Sequence, residues 1–395
     1  MSNFILFDDS RSDLLPLTFT RPVADLRIGI LTIREKWEMY LKSSTSSKTE
    51  DYLSEKFKAI LSNNNIFING SILPDQKLIS AIQSLNPGQY LVKANIIIAA
   101  NCTKEEASSF SNDISKAINI VQYTDEYTKI SFLWDIFSKN GKAIEDDFKL
   151  LTIGRKSQTI SASNQVASAE NIFIEEGAKV EFSTLNASTG SIYIGKDAEV
   201  MEGCLIRGPL ALNEHATLKM GAKIYGPTTI GPNSKVGGEI NNCVIWGNSN
   251  KAHDGFLGNS ILGEWCNLGA DTNNSNLKNN YSEVKLWNYT NEKFIPTGLQ
   301  FCGLIMGDHS KCGINTMFNT GTVVGVSTNI FGAGYPRNFI PSFTWGGPQS
   351  MSVYPFDKAT ETAEIVMKRR NIDLSSIEKK ILEQIFVSTA KHRKL

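Results

Sequence analysis

A short apolar run, Asn3 to Phe7, leads into two adjacent carboxylates, Asp8 and Asp9, and then into Arg11, Arg21 and Arg27. Carboxylates just past a strand can meet a divalent metal or a sugar, which makes Asp8 and Asp9 the candidate metal ligands. Guanidinium groups hold phosphate through paired N–H donors, so the three arginines are candidate phosphate partners, with Arg11 and Arg21 the first choices for catalysis. The plain alternative is that they cap elements or form surface ion pairs. Asn69 follows a second apolar run, and Asp75 lies just beyond it in NGSILPD; both are candidate substrate contacts. Transfer between phosphates needs these types together: cations around the phosphates and acidic or polar ligands for Mg²⁺. A second candidate group lies far along the chain. Histidine occurs only at 215, 253, 309 and 392, and imidazole is the side chain suited to moving a proton near neutral pH. His253 is one candidate, and His309 with Lys311 in GDHSKCG is another.

These residues sit in two different sequence grammars. Up to about residue 150, short apolar runs alternate with helical patterns. Asn3–Phe7 and Asn65–Ile68 read as strands, and Tyr90–Ala100 as one or two more. Leu31–Lys42 and Ser131–Lys139 read as helices, the first with Ile33, Trp37 and Leu41 at helical spacing. The segment SSTSSKTED, residues 43–51, reads as a flexible loop. Alternating strands and helices predict an α/β domain over residues 1–150.

After residue 170 the period becomes six. Ile194, Val200, Ile206, Leu212, Leu218, Ile224, Ile230 and Val236 follow one another at that spacing. The period is neither 3.6 nor a simple 2, and it predicts one inward residue per short strand and turn of a parallel β-helix over residues 151–355. The pattern slips and is expected to resume at Val244, Asn250, Phe256, Leu262 and Leu268, then at Met306, Cys312, Phe318, Val324 and Ile330. Leu277–Gly298 reads as a loop leaving the coil. Residues 356–395 return to helical patterning, with helices expected over Lys358–Arg370 and Ser375–Ala390, and a solvated basic tail KHRKL.

Composition narrows the function class. In 395 residues, 40 Lys plus Arg balance 40 Asp plus Glu, and basic residues do not cluster with aromatics, so no nucleic-acid partner is expected. The 6 cysteines form no close pair and are expected as free thiols. Acidic residues arrive by position 8 without a basic leader, and no window of 18 uninterrupted apolar residues occurs, so neither a secretory signal nor a membrane span is expected. A cytoplasmic location follows as the expectation.

The opening block NFILFDDSRSDLLPLTFTRPVADLRIGILTIREKW and the later GLIMGDHSKCGINTMFNTGTVVG carry a resemblance. They resemble the atypical sugar nucleotidyltransferases found beside a left-handed β-helix. More broadly, most of the chain resembles the bifunctional N-acetylglucosamine-1-phosphate uridyltransferases and glucosamine-1-phosphate acetyltransferases. The resemblance implies an α/β nucleotidyltransferase-like domain, a left-handed parallel β-helix of hexapeptide repeats and short C-terminal helices. It implies that a nucleoside triphosphate and a sugar 1-phosphate give an NDP-sugar and pyrophosphate with Mg²⁺, UTP and N-acetylglucosamine 1-phosphate being the first expectation. It also implies a homotrimer and acetyl-CoA as acyl donor to an amino sugar.

The segment NKAHDGFLGNSILGEWCNLGADTNN resembles the acetyltransferase stretch that contains the catalytic histidine, which places His253 as general base. On the same match Lys251 contacts the sugar phosphate, Asn267 and Asn276 are site asparagines, and Lys223 stands where a phosphate-binding arginine is common. Phe256 replaces a tyrosine and Asp271 a glycine. The opening lacks the GxGTR-like glycine loop, and Arg21-Pro22 stands where a proline-lysine pair is usual. The first departures keep open a non-catalytic sugar-nucleotide-binding trimeric scaffold. The second keep open an acyltransferase whose first domain only binds.

Overall fold

The computed structural model describes residues 3–393 and divides into two units. Lys394 and Leu395 of the basic tail lie outside the described residues.

The first unit holds residues up to Leu14, Thr20–Leu26 and Leu31–Phe132. Its six-stranded sheet runs β2-β1-β3-β5-β4-β6, with β1 Asn3–Phe7, β2 Thr45–Lys48, β3 Asn64–Asn69, β4 Gln89–Lys93, β5 Ile96–Thr103 and β6 Asn119–Gln122. β1 pairs in parallel with both β2 and β3, and β4 and β5 form an antiparallel hairpin. Parallel strands need crossovers, and helix α1, Ile33–Leu41, lies between β1 and β2 in the chain. Thr32 and Glu35 start it as a reciprocal capping box. Trp37 on its buried face donates its indole N–H to the Ile72 carbonyl at 2.8 Å. The expected loop at 43–51 is corrected: Thr45–Lys48 is an edge strand in register with Phe4–Phe7. A polar Ser/Thr run can serve there because an edge strand pairs on one side only. Phe67 stacks on Phe110 at 3.9 Å within a core that also holds Ile5, Phe7 and Val92.

The second unit holds Leu15–Phe19, Arg27–Ile30 and the chain from Leu133 on. Its body is a parallel β-helix with three faces: a nine-stranded sheet, a ten-stranded sheet and a six-stranded sheet. All eight period-six positions from Ile194 to Val236 are buried, and they belong to one continuous apolar column. The phase after Val236 is corrected. Ile230 pairs with Ile245, Val236 with Lys251, and Ile240 with Leu257, so the inward residues fall one position after Val244, Asn250 and Phe256. Two short steps cause it: four residues from Val236 to Ile240 across the Gly237-Gly238 corner, where Gly238 has φ +75°, and five from Ile240 to Ile245 across Asn242, with φ +53°. Register returns at Leu262 and Leu268 and holds from Met306 through Ile330.

The expected loop at Leu277–Gly298 is corrected too: it carries an antiparallel hairpin, Lys285–Asn288 with Lys293–Pro296. The hairpin is fixed by aromatic packing, Trp287 stacking on Phe339 at 4.2 Å. Helices α2 (Phe356–Lys368) and α3 (Ser376–Ser388) close the chain, the latter capped by Ser375 and Glu378. All six cysteines are free and buried. Among the described residues no helix is long and apolar enough to cross a membrane.

Two candidate active sites

In the first unit the carboxyl ends of β1, β2 and β3 converge, the place where open α/β sheets bind ligands. A cleft of about 360 Å³ opens there, lined by Phe7, Asp8, Lys48, Thr49, Glu50, Asp51, Phe110, Ser111 and Asn112. Asp8 lines it but is fully engaged. One oxygen accepts from the Val23 N–H at 2.7 Å; the other accepts from the Thr49 hydroxyl at 2.5 Å and from Arg11 at 3.3 Å. Burial pushes its carboxyl above the usual range. With these bonds Asp8 ties the Arg11 and Thr49 segments together.

Arg11 is equally internal. It donates to the Arg21 carbonyl at 2.8 Å and to the Tyr52 hydroxyl at 2.9 Å. Arg21 is buried, with its guanidinium beside the Thr20 hydroxyl. Asp9 is the more open carboxylate; it accepts from Asn69 at 2.9 Å and pairs with Lys129 at 3.2 Å. Lys129, which also reaches the Ser10 hydroxyl at 2.6 Å, is a cation the sequence reading missed. Asn69 is wholly buried and bridges Asp9 and the Ile97 carbonyl. Asp75 caps the helix Gln76–Gln83 through the Leu78 N–H at 2.8 Å.

Arg27 is assigned apart from Arg11 and Arg21. It falls in the second unit, where its carbonyl accepts from the Trp246 indole at 3.2 Å. The segment beside it is locked by Asn140 on the Gly29 N–H at 2.7 Å and Asp147 on the Ile30 N–H at 2.8 Å. Gly29 has φ +75°, and a Cβ there would stand 2.5 Å from the Asp147 carboxylate, so only glycine fits. Among the described residues no three His, Cys, Asp or Glu side chains converge as a ready-made metal site. A divalent ion shared with substrate phosphates needs only one or two carboxylates, and Asp9 is the more exposed of the two candidates.

In the second unit His253 occupies an exposed turn between strand Asn250–Lys251 on the ten-stranded face and strand Phe256–Gly258 on the six-stranded face. It borders two clefts, each of about 690 Å³. One is floored by the outward ladder Lys235, Asn250, Asn267, Lys311, whose members pair in register coil by coil. Trp265 and, at the end of α2, Arg369 and Arg370 complete its walls. Arg370 donates to the Asn233 carbonyl at 2.6 Å and to the Asn250 side chain at 3.2 Å, which holds the helix end against the coil. Burial lowers Lys311 to about 8, and its ammonium donates to the His309 carbonyl at 2.8 Å. His309 itself stacks on Trp265 at 6.3 Å. The other cleft is lined by Lys219, Asp254 and Asp271 among others.

The structure thus gathers His253, Asn267 and Lys311, with His309 stacked behind the cleft wall. Lys223 and Phe256 lie on the six-stranded face, in register with Glu239 between them. Asn276 bonds to Asn259 at 2.8 Å as a ladder amide. Lys251 is 1% exposed and points inward, so the expected contact with a sugar phosphate is corrected. Lys235, Arg369, Arg370 and Asp254 were missed. The first was legible as an outward partner of Asn250; the arginines arrive from a helix distant in sequence.

Residues 4–156 match the family described as sugar nucleotidyl transferase. The chain is 24% identical over 394 residues to a bifunctional sugar-1-phosphate nucleotidylyltransferase/acetyltransferase of Sulfurisphaera tokodaii, covering 84% of this chain and 96% of that protein. It is 31% identical over 118 residues to the bifunctional protein GlmU of Methanocaldococcus jannaschii, covering 30% of this chain and 26% of that protein. Among solved structures, an Arabidopsis UDP-N-acetylglucosamine acyltransferase matches at 16% identity and a TM-score of 0.26, covering 59% of this chain and 93% of that one. Residues 4–156 thus match the sugar nucleotidyl transferase family, in a chain similar along most of its length to a bifunctional sugar-1-phosphate nucleotidylyltransferase/acetyltransferase.

Proposed function

We propose that the chain carries out two transfers: a sugar 1-phosphate and a nucleoside triphosphate give an NDP-sugar and pyrophosphate, and an acyl group passes from a thioester to an amino sugar. UTP with N-acetylglucosamine 1-phosphate is the substrate pair to try first, and acetyl-CoA the donor. The observation that carries the first reaction is the family match over residues 4–156, on a unit whose parallel strands end in a cleft bearing three carboxylates and Lys48. Lys48 lines that cleft and supplies positive charge to the phosphates, while Asp9, next to Asp8 in the chain, is oriented by Asn69 and Lys129. Mg²⁺, held by Asp9 and the triphosphate, would neutralise charge on the reacting phosphates.

The second reaction is supported by the place of His253 between a cationic cleft and one bearing carboxylates. Lys235, Lys311, Arg369 and Arg370 suit the phosphates of a nucleotide-bearing thioester, and Trp265 offers an apolar wall. The imidazole of His253 takes the proton from the amine as nitrogen attacks the thioester carbonyl, and the thiol leaves. Asp254 and Asp271 stand on the side where the amine is received. We take the active form to be a cytoplasmic homotrimer; six free buried thiols suit a reducing compartment.

One observation favours a second reading for the first unit, an acyltransferase with a binding-only amino-terminal domain: Asp8 and Arg11 are tied to each other and to backbone. Assays of pyrophosphate release and thiol release on one preparation decide between them. Turnover of both supports the two-transfer reading, and thiol release alone favours the second.

A further inference from the structure

The inward column on the ten-stranded face runs Val236, Lys251, Leu268, Cys312. Lysine is the one member of that column with a charge, and it is 1% exposed. Its ammonium has three donors, and it finds three acceptors: the carbonyls of Gly237 at 3.1 Å, Asp254 at 3.1 Å, and His253. Two of those carbonyls belong to the turn that presents the candidate base.

We infer that Lys251 is a positioning residue, which grips the His253–Asp254 turn from inside the coil and so fixes where the imidazole points. The inference rests on the reading of His253 as the base. Three facts support it. His253 and Asp254 are exposed, so water could satisfy their carbonyls without placing a cation in an apolar core. The cost of that burial shows in Lys251, lowered to about 8 by desolvation against the pull of Asp254 and Asp271. The turn is also clamped by backbone on both sides. A Cβ on Gly238 would meet the His253 carbonyl oxygen at 2.9 Å, and one on Gly255 would meet the Thr272 carbonyl oxygen at 2.2 Å. The ammonium completes that grip with its three carbonyl contacts. A lysine in this column acts on the turn without touching the ligand, because its nitrogen is enclosed.

The test uses the full chain with Lys251→Met, which keeps the length and removes the donors, and Lys251→Val, which restores the aliphatic type of the column. Two readouts are taken: hydrogen–deuterium exchange of peptides spanning residues 252–258, and kcat and KM for thiol release with acetyl-CoA and an amino sugar phosphate. The expected result is faster exchange confined to 252–258 and a kcat lower by on the order of 10²-fold, with KM for the thioester unchanged. Unchanged exchange at 252–258 overturns the inference. Exchange that rises throughout the solenoid also overturns it, since that marks a general packing role, as does an unchanged kcat beside a loosened turn. Absence of thiol release from the unsubstituted protein contradicts the acyl-transfer reading instead, and the exchange result still decides whether Lys251 holds the turn.

Discussion

Arg11 lies 3.3 Å from Asp8, and both side chains are almost wholly withdrawn from solvent. The pair is closed by Val23, Thr49, Tyr52 and the Arg21 carbonyl. Removing one partner of such a buried pair strands the other, at about 3–5 kcal/mol. Arg11→Ala is therefore expected to lower the unfolding free energy of the first unit by about that amount. Denaturant unfolding followed by a probe in that unit measures it. A loss within about 0.5 kcal/mol would place Arg11 on the ligand side instead.

His253→Gln removes the group assigned to proton transfer while keeping a polar side chain on the turn. Acyl transfer is expected to fall by about 10²–10⁴-fold, at a melting temperature like that of the unsubstituted protein. Rates of thiol release at saturating donor and acceptor give the answer, and a rate within threefold of the original would remove His253 from the mechanism.

Arg369 and Lys311 both line the cleft, one from a helix end and one from the coil. If the cleft takes donor phosphates, Arg369→Ala is expected to raise KM for the thioester several-fold with little change in kcat. The same KM should climb with ionic strength, because charges at a solvent-facing cleft are screened within about 8–10 Å in ordinary salt. A donor KM indifferent to both salt and the substitution would assign the cleft elsewhere.

The two low lysines give stability a pH signature. Burial brings Lys251 and Lys311 from 10.5 to about 8. Between about 8 and 10.5 the unfolded chain holds these protons and the folded chain has released them, so stability rises with pH through that window. Below about 8 both states are protonated and this contribution is flat. Lys251→Met lacks the buried charge, so its stability relative to the unsubstituted protein should be greatest near neutral pH and should shrink on moving to about pH 9.5. Unfolding curves at both pH values, read as the difference between the two proteins, check the sign.

The solenoid was legible because each inward aliphatic residue must recur once per strand and turn, and Ile194 to Val236 do so without a miss. The phase was lost where two successive corners, Gly237-Gly238 and Asn242, fall short of six residues. The ligand contact expected of Lys251 came with the resemblance of its segment, whereas in the coil's register the residue is interior. Thr45–Lys48 escaped notice because an edge strand of serine and threonine has no apolar signature. The clefts at His253 were half visible: Asn267 and Lys311 lie on the coil's own register, but Arg369 and Arg370 reach it through tertiary packing of α2. Arg27 was grouped with Arg11 and Arg21 by sequence proximity, although the chain hands residues 27–30 to the other unit.

The most direct measurement is pyrophosphate release by the full-length protein across a panel of sugar 1-phosphates and nucleoside triphosphates with Mg²⁺, repeated with Arg21→Ala and Asp9→Asn. The account predicts steady release with a defined subset of pairs, strongest for its own sugar and nucleotide, and reduced by on the order of 10²-fold or more in Asp9→Asn. No release from folded protein with any pair would contradict nucleotidyl transfer by the first unit.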